Sequence, residues 1–366
     1  MASVLRSQLA RSAGITGRGA LRAPSVPAFR CGVTRRTLAT QSNPGKPLGN
    51  APLYLSLAGL AGLSYYVYME YNGANTAAAK KALPPVTSAL TGDWIETPLK
   101  TIEPYNDNTT KLTFSLPENT ATLLPVAGCV LLQADESGPK DPKGQPITRP
   151  YTPISPSDKR DEVTFLIKKY DTGKLTPFLH NLKVGDKVKI KVNYMVTRST
   201  PVAQSFSQLV QGPLQKIAYQ SNEHDQIAMI AGGSGITPMY QVLDHALKIP
   251  EDKTKFKLIF ANVTPADILL RQELDQFKKS HPDRFDVVYV VDKPVEGWTG
   301  PTGYVSAALI KQHVASASTG NKVKVYICGP PGQVASIAGK KDGYNQGQVA
   351  GILKELGYTE DQVFKF

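Results

Sequence analysis

The stretch IAMIAGGSGITPMYQVLDHALK, residues 227–248, constrains this chain more than any other. It opens on a short unbroken apolar run of the kind that is buried on both faces of a parallel sheet. Met239, Val242, Leu243, Ala246 and Leu247 then fall at helical spacing. Thr237 is placed to cap that helix, and Pro238 suits its first position. Between the two elements stand Gly232, Gly233, Ser234 and Gly235. A buried strand that turns through glycines straight into a helix lets backbone N–H groups approach a pyrophosphate, and the helix dipole favours the negative charge. The same residues would also serve a tight turn with no ligand. The usual dinucleotide fingerprint has a third glycine where Pro238 stands, so this is a nucleotide-type loop of a different family.

The rest of the chain divides around that stretch. From about residue 93 the pattern is antiparallel β: Leu112, Phe114 and Leu116 alternate with polar residues in KLTFSLPE, as do Val163, Phe165 and Ile167 in EVTFLIKKY. Short strands broken by proline and glycine turns predict a small barrel. After about residue 222 the runs QIAMIAGG, KLIFAN, VVYVVD and VKVYICGP each end at Gly, Asn or Asp, with helical stretches between the early ones. That pattern predicts a parallel sheet of alternating α and β.

The amino terminus has a different composition. Residues 1–69 carry seven Arg and one Lys with no acidic residue, which leaves only +4 of the net charge of +12 for the remainder. The body is close to balanced, so no nucleic-acid partner is expected. Residues 1–38 read as a mitochondrial transit peptide. The uncharged run at residues 51–69 spans about 28 Å as a helix, enough for the hydrocarbon core of a bilayer. It reads as a single transmembrane anchor, with residues 70–88 as a linker. Cys31, Cys129 and Cys328 lie far apart and show no metal-ligand spacing, so no metal site is expected.

Two motifs of the first half complete a pattern. Arg149-Pro150-Tyr151-Thr152-Pro153 precedes the strand LIKKY, and Gly173-Lys174-Leu175-Thr176 opens a helix with Pro177 as its expected first residue. Either alone reads as a proline-bounded strand or a helix cap. In this order, and followed by GGSGITPM and CGPPG, they resemble the ferredoxin-reductase-like flavoenzymes, and within them the mitochondrial NADH–cytochrome b5 reductases of fungi. The resemblance covers residues 94–366 and includes an amino-terminal anchor of the right kind.

That resemblance implies an antiparallel β-barrel that binds FAD over residues 89–222, followed by an α/β domain that binds NADH over residues 223–366. It implies that Arg149 holds the FAD pyrophosphate, that Tyr151 packs on the isoalloxazine, and that the Thr152 hydroxyl meets the ring nitrogen that accepts hydride. Lys168 and Tyr170 would line the ribityl and adenine side, while Gly173, Lys174, Leu175 and Thr176 would hold the FAD phosphates. For NADH, Gly232, Gly233, Ser234, Gly235, Thr237 and Pro238 would cradle phosphates, and Cys328, Gly329 and Pro330 would shape the nicotinamide pocket. Asp267 has two readings: with Thr264 it makes a capping box, and by resemblance it accepts from the adenosine ribose and favours NADH over NADPH. The implied reaction is hydride transfer to FAD and single-electron transfer to cytochrome b5 or a similar acidic haem protein, by a monomer on the mitochondrial outer membrane. A processed form in the intermembrane space is also expected. An NADPH-linked, quinone-reducing or ascorbyl-radical-reducing relative and a non-catalytic flavin-binding protein are the alternatives.

Residues 192–211 interrupt the family pattern. Deleting them restores GDKVKIK-GPLQKIAY without a seam, and the segment shows neither strand period nor helical stripe. Every Val codon begins with GT, and a Gln codon can end in AG, the dinucleotides that bound an intron. The segment therefore reads as a retained intron and is expected to form an irregular excursion, with Lys191 and Gly212 close together at its base.

Overall fold

The alternating residues of the first half bury one face of an antiparallel sheet. In the computed structural model, which describes residues 84–366 except 193, 197–210, 214–216, 218 and 344, this sheet has six strands. They are β1 (Ile95–Asn106), β2 (Thr109–Ser115), β3 (Val130–Ala134), β4 (Thr148–Tyr151), β5 (Glu162–Lys168) and β6 (Lys187–Val192), in the order β4-β3-β6-β1-β2-β5. Leu112, Phe114, Leu116, Val163, Phe165, Ile167, Val188 and Ile190 all point into its core, as the period-2 pattern predicts. The two edge strands meet: Ile154 N–H donates to the Thr164 carbonyl at 2.9 Å, and Thr164 N–H to Ser155 Oγ at 3.0 Å. The Tyr151 and Phe165 rings close edge-to-face at 6.4 Å. These contacts bend the sheet into the expected barrel. Helix α1 (Leu175–His180) plugs it with Leu175 and Leu179.

The interrupting segment differs from expectation at both ends. Val192 is the last residue of β6, pairs with Val130 and is 1% exposed, so it belongs to the barrel. Beyond it β7 (Tyr194–Val196) pairs antiparallel with β8 (Gln211–Pro213), which sets Gly212 opposite Met195 rather than beside Lys191. The strand-forming residues Tyr194 and Val196 pair with Gln-Gly-Pro, and the ladder satisfies backbone groups that an irregular excursion would leave open. Residues 197–210 lie outside the described residues.

The second half is a five-stranded parallel sheet. Its strands are β9 (Gln226–Gly232), β10 (Lys255–Asn262), β11 (Phe285–Val291), β12 (Val323–Cys328) and β13 (Val363–Lys365), ordered β11-β10-β9-β12-β13. Helices α2 (Ile236–Ala246), α3 (Arg271–Ser280), α4 (Ala307–His313), α5 (Pro331–Ala338) and α6 (Gly351–Glu355) connect them. Each face of the sheet carries its own apolar core. The core on the α2 face continues into the barrel through Ala127 and Leu166. Chain order reverses between β9 and β12, so the loops after these strands diverge and open a crevice at their carboxyl ends. Among the described residues no helix is long and apolar enough to cross a membrane. The leader at residues 1–38 and the run at 51–69 lie outside them.

Candidate active site

The glycine loop lies where the crevice opens. Gly233, Ser234 and Gly235 form a short 3-10 turn that leads directly into α2, so the helix begins at Ile236. Thr237 and Pro238 therefore sit inside its first turn, not at its cap and first position. The Thr237 hydroxyl donates back to the Ser234 carbonyl at 3.3 Å. The physical reason is Gly235, which occupies the cap without a side chain. A Cβ there would collide with the Cys328 carbonyl and lie 2.8 Å from the Gly329 nitrogen. The glycine thus lets the loops after β9 and β12 pack against one another. Gly233, at φ +49°, uses the left-handed region that other residues avoid.

A cavity of about 820 Å³ fills the crevice. Of the residues named from sequence it gathers Lys168, Tyr170, Gly232, Gly233, Asp267 and Pro330. Ser234 borders it through its hydroxyl, 2.8 Å from Tyr170 Oη. Gly235, Thr237, Pro238, Cys328 and Gly329 do not line it, and Arg149, Tyr151, Thr152, Gly173, Lys174, Leu175 and Thr176 lie elsewhere on the barrel. The cavity also brings in residues that motif reading missed: Asn108, Asn262, Asp292, Tyr304, Gln333 and Ser336. Asn262 and Asp292 are the Asn and Asp on which KLIFAN and VVYVVD end, and carboxyl strand ends are where such sheets hold ligands.

The barrel reaches the nucleotide domain through a dense polar contact. The tip of the β1–β2 hairpin docks there: Asn106 Nδ2 donates to the Ala266 carbonyl at 3.0 Å, and Leu270 N–H donates to Tyr105 Oη at 2.7 Å. Asp267 sits at its centre. Its Oδ1 accepts from Lys168 Nζ at 2.7 Å and from Asn108 Nδ2 at 3.0 Å. Its Oδ2 accepts from the Thr264 backbone at 3.1 Å and the Thr264 hydroxyl at 2.7 Å, which completes the capping box expected from sequence. A carboxylate has about four lone-pair sites, and all of them are taken. Burial opposes ionisation of Asp267, but the bonds from Lys168, Asn108 and Thr264 outweigh it and hold the carboxyl well below the ordinary range. Lys168 is therefore an ion-pair partner at 12% exposure, equal to that of Asp267. Arg271, the cation nearest in sequence, stacks instead over the Tyr289 and Trp298 rings.

On the barrel, Arg149 is exposed and commits one N–H to the Thr148 carbonyl at 2.8 Å. Burial pushes the Tyr151 hydroxyl up to about 12, with nearby Arg149 opposing that shift. Lys174 stands just before α1 without a capping bond from its side chain, and the helix starts two residues earlier than Pro177 suggested. Leu175 faces the barrel core, so of this residue only the backbone remains for a ligand. Thr176 Oγ1 accepts from Tyr170 N–H at 3.2 Å and closes the turn at Gly173. At the far end Phe366 stacks edge-on against Tyr326 and Phe364.

Residues 96–197 match the family model described as Oxidoreductase FAD-binding domain, and residues 229–338 match the Oxidoreductase NAD-binding domain. A curated relative from Mycosarcoma maydis, NADH-cytochrome b5 reductase 2, is 38% identical over 99% of both chains. The protein of the same name from Emericella nidulans is 38% identical over 93% of this chain and 98% of its own. Among solved structures, the cytochrome b5 reductase domain of Ulva prolifera nitrate reductase superposes with a TM-score of 0.61 at 26% identity, covering 76% of this chain and all of that one. At 38% identity over nearly the whole of both relatives, the chain belongs to the NADH-cytochrome b5 reductase family.

Proposed function

We propose that this protein is an FAD-dependent oxidoreductase that takes hydride from NADH and delivers single electrons to cytochrome b5. One observation carries the reading: a flavin-type barrel and a nucleotide-type sheet wall a single cavity at the carboxyl ends of the strands, with the glycine loop of one beside Tyr170 of the other. The residues present fit both cofactors. Gly232 and Gly233 leave a backbone cradle in the cavity. At Gly173 a Cβ would lie 2.6 Å from Thr176 Oγ1, so only glycine permits that turn.

When bound, FAD converts a two-electron hydride from NADH into two one-electron deliveries. The chain's own residues bind and orient. Arg149 offers its remaining guanidinium donors to the FAD pyrophosphate as a planar fork. Tyr151, held edge-on by Phe165, gives the flavin a fixed apolar wall. Thr152 presents its hydroxyl to the flavin's reactive edge, and the turn from Gly173 to Thr176 holds phosphate by backbone. Gly232 to Pro238 position the NADH phosphates, and Cys328 to Pro330 shape the nicotinamide end. Asp267 and Lys168 fasten the two walls together, which fixes donor and acceptor rings at one spacing. Exposed Lys169, Lys174, Lys183 and Lys187 on the barrel supply the positive surface that an acidic haem protein would meet.

Residues 51–69 would hold this body at the mitochondrial outer membrane, with a processed form in the intermembrane space; the acid-free leader and the uncharged run support that reading. Purified protein tests the activity: a yellow chromophore bleached by NADH, with cytochrome b5 reduction that slows as salt rises, is the expected result. A colourless protein would overturn it in favour of a binding-only role. Fractionation that places active protein in the matrix would overturn the location.

A further inference from the structure

Helix α2 carries Gln241 one turn beyond Pro238, on the same face. Its Nε2 donates to the Pro153 carbonyl at 2.8 Å, a bond from the nucleotide domain to the barrel. Its Oε1 is enclosed and has no partner among the described residues. A methionine of the same length would fill that space without stranding an acceptor, so packing does not explain a glutamine there. What the glutamine adds is a donor aimed at one carbonyl.

That carbonyl belongs to the flavin motif. Tyr151, the last residue of β4, pairs with Val130, and Ile154 N–H donates to the Thr164 carbonyl at 2.9 Å. Thr152 and Pro153 span the gap between those two fastenings. Proline has no N–H, so the carbonyl is the one backbone polar group that Pro153 has to offer, and Gln241 engages it. Bonds from Asn106, Tyr105, Asn108 and Lys168 converge instead on residues 266–270. Helix α2 is thus one rigid element with the glycine loop at its start and, one turn past Pro238, a bond to the residue beside Thr152.

We infer that Gln241 is a positioning residue for the hydride step: through the Pro153 carbonyl it fixes Thr152, and with it the flavin's reactive edge, against the helix that begins at the NADH phosphates. This rests on the FAD and NADH reading above. Gln241 touches neither cofactor in this account. Its effect is on the spacing of the two rings, to which hydride transfer is steeply sensitive: a displacement of about 1 Å caused far from the reacting atoms can slow a reaction about a hundredfold.

Stopped-flow bleaching of the flavin by excess NADH, in the FAD-loaded full chain, reads that spacing. Gln241→Met keeps the length and removes the donor. Its limiting rate of flavin reduction is expected to fall by about tenfold or more, while the NADH concentration that gives half that rate, the flavin absorbance per chain and electron delivery from chemically reduced flavin to cytochrome b5 stay as in the wild type. Gln241→Lys, whose long stem lets an ammonium donor reach the same carbonyl from a half-buried position, should recover most of the lost rate. A role in folding alone would lower the melting temperature of Gln241→Met and leave its limiting rate unchanged, which would overturn this assignment. Loss of FAD from Gln241→Met, or a rate in Gln241→Lys as low as in Gln241→Met, would overturn it too. Wild-type protein that binds FAD but is not bleached by NADH would overturn the NADH reading and this inference with it.

Discussion

Replacing Asp267 with alanine separates a helix cap from a bond between domains. As a cap alone the residue contributes about 0.5–2 kcal/mol. In the structure the same carboxylate also neutralises Lys168, whose side chain is 12% exposed. Removing one member of a largely buried pair costs about 3–5 kcal/mol, because the other charge is left without a partner. The two figures describe the same oxygens and do not add, so Asp267→Ala is expected to cost about 3–5 kcal/mol in total. At roughly 1.5–2 °C per kcal/mol for a chain of this size, the melting temperature should fall by about 5–10 °C. Lys168→Met keeps the aliphatic stem and leaves Asp267 its three other donors, so it should cost about 1–3 kcal/mol. The double variant should be more stable than the sum of the two losses predicts, by about 0.5–3 kcal/mol.

The same cycle separates two routes to cofactor selectivity. Lys168 lines the cavity, and without Asp267 its ammonium would face a 2′-phosphate unopposed. Asp267→Ala should therefore narrow the preference for NADH over NADPH, and adding Lys168→Met should restore it. Denaturation curves and the ratio of kcat/KM for the two cofactors are the assays. Acid gives a further check. The folded carboxyl titrates below its unfolded value of about 3.9, so its contribution is full above that pH and is lost as pH falls through the folded value. The gap between wild type and Asp267→Ala should thus be constant near neutrality and close only in strong acid. Additive losses in the double variant, or a narrowed preference that Lys168→Met leaves untouched, would refute the ion-pair account and return Asp267 to direct contact with the ribose.

Arg149→Ala should weaken FAD binding by roughly tenfold or more, since hydrogen bonds to charged groups are worth about 1.5–3 kcal/mol; flavin absorbance per chain after dialysis measures it, and full occupancy would refute the assigned contact. Lys365 is 1% exposed and donates to the carbonyls of Ala338, Lys340 and Gln348 at 3.2, 3.3 and 2.9 Å. Lys365→Met should orphan those acceptors and cost about 2–4 kcal/mol in urea denaturation, with a loss below about 1 kcal/mol refuting the role. Deleting residues 192–211 sets Gly212 opposite Val130 in place of buried Val192, so it should lower stability by about 1.5–3 kcal/mol while FAD binding survives. Sequencing the transcript should show a form that lacks these codons; a uniform message containing them, together with loss of FAD on deletion, would make the segment part of the working enzyme.

The barrel and the parallel sheet were legible because their signals are local. Leu112, Phe114 and Leu116 need only their neighbours to declare a buried face, and the core helix α2 needs only its 3.6-residue stripe. Boundaries were less legible where a residue acts through its absence of side chain: Gly235 starts α2 ahead of Thr237 and Pro238, which look more like a cap than glycine does. The site itself was hardest, because its bonds are long-range. Lys168 and Asp267 are 99 residues apart and Asn108 and Asp267 are 159 apart, and no local period links a barrel strand to a helix cap in another domain. Asn262 was visible as the last letter of KLIFAN, yet asparagine at a strand end is also the usual turn residue. Only burial separates the two readings. A turn asparagine satisfies its amide with backbone close by, whereas Asn262 is enclosed with neither amide atom paired among the described residues. Its backbone carbonyl meanwhile accepts from Asp292 N–H at 3.0 Å, so Asn262 joins the ends of β10 and β11 at the rim of the crevice.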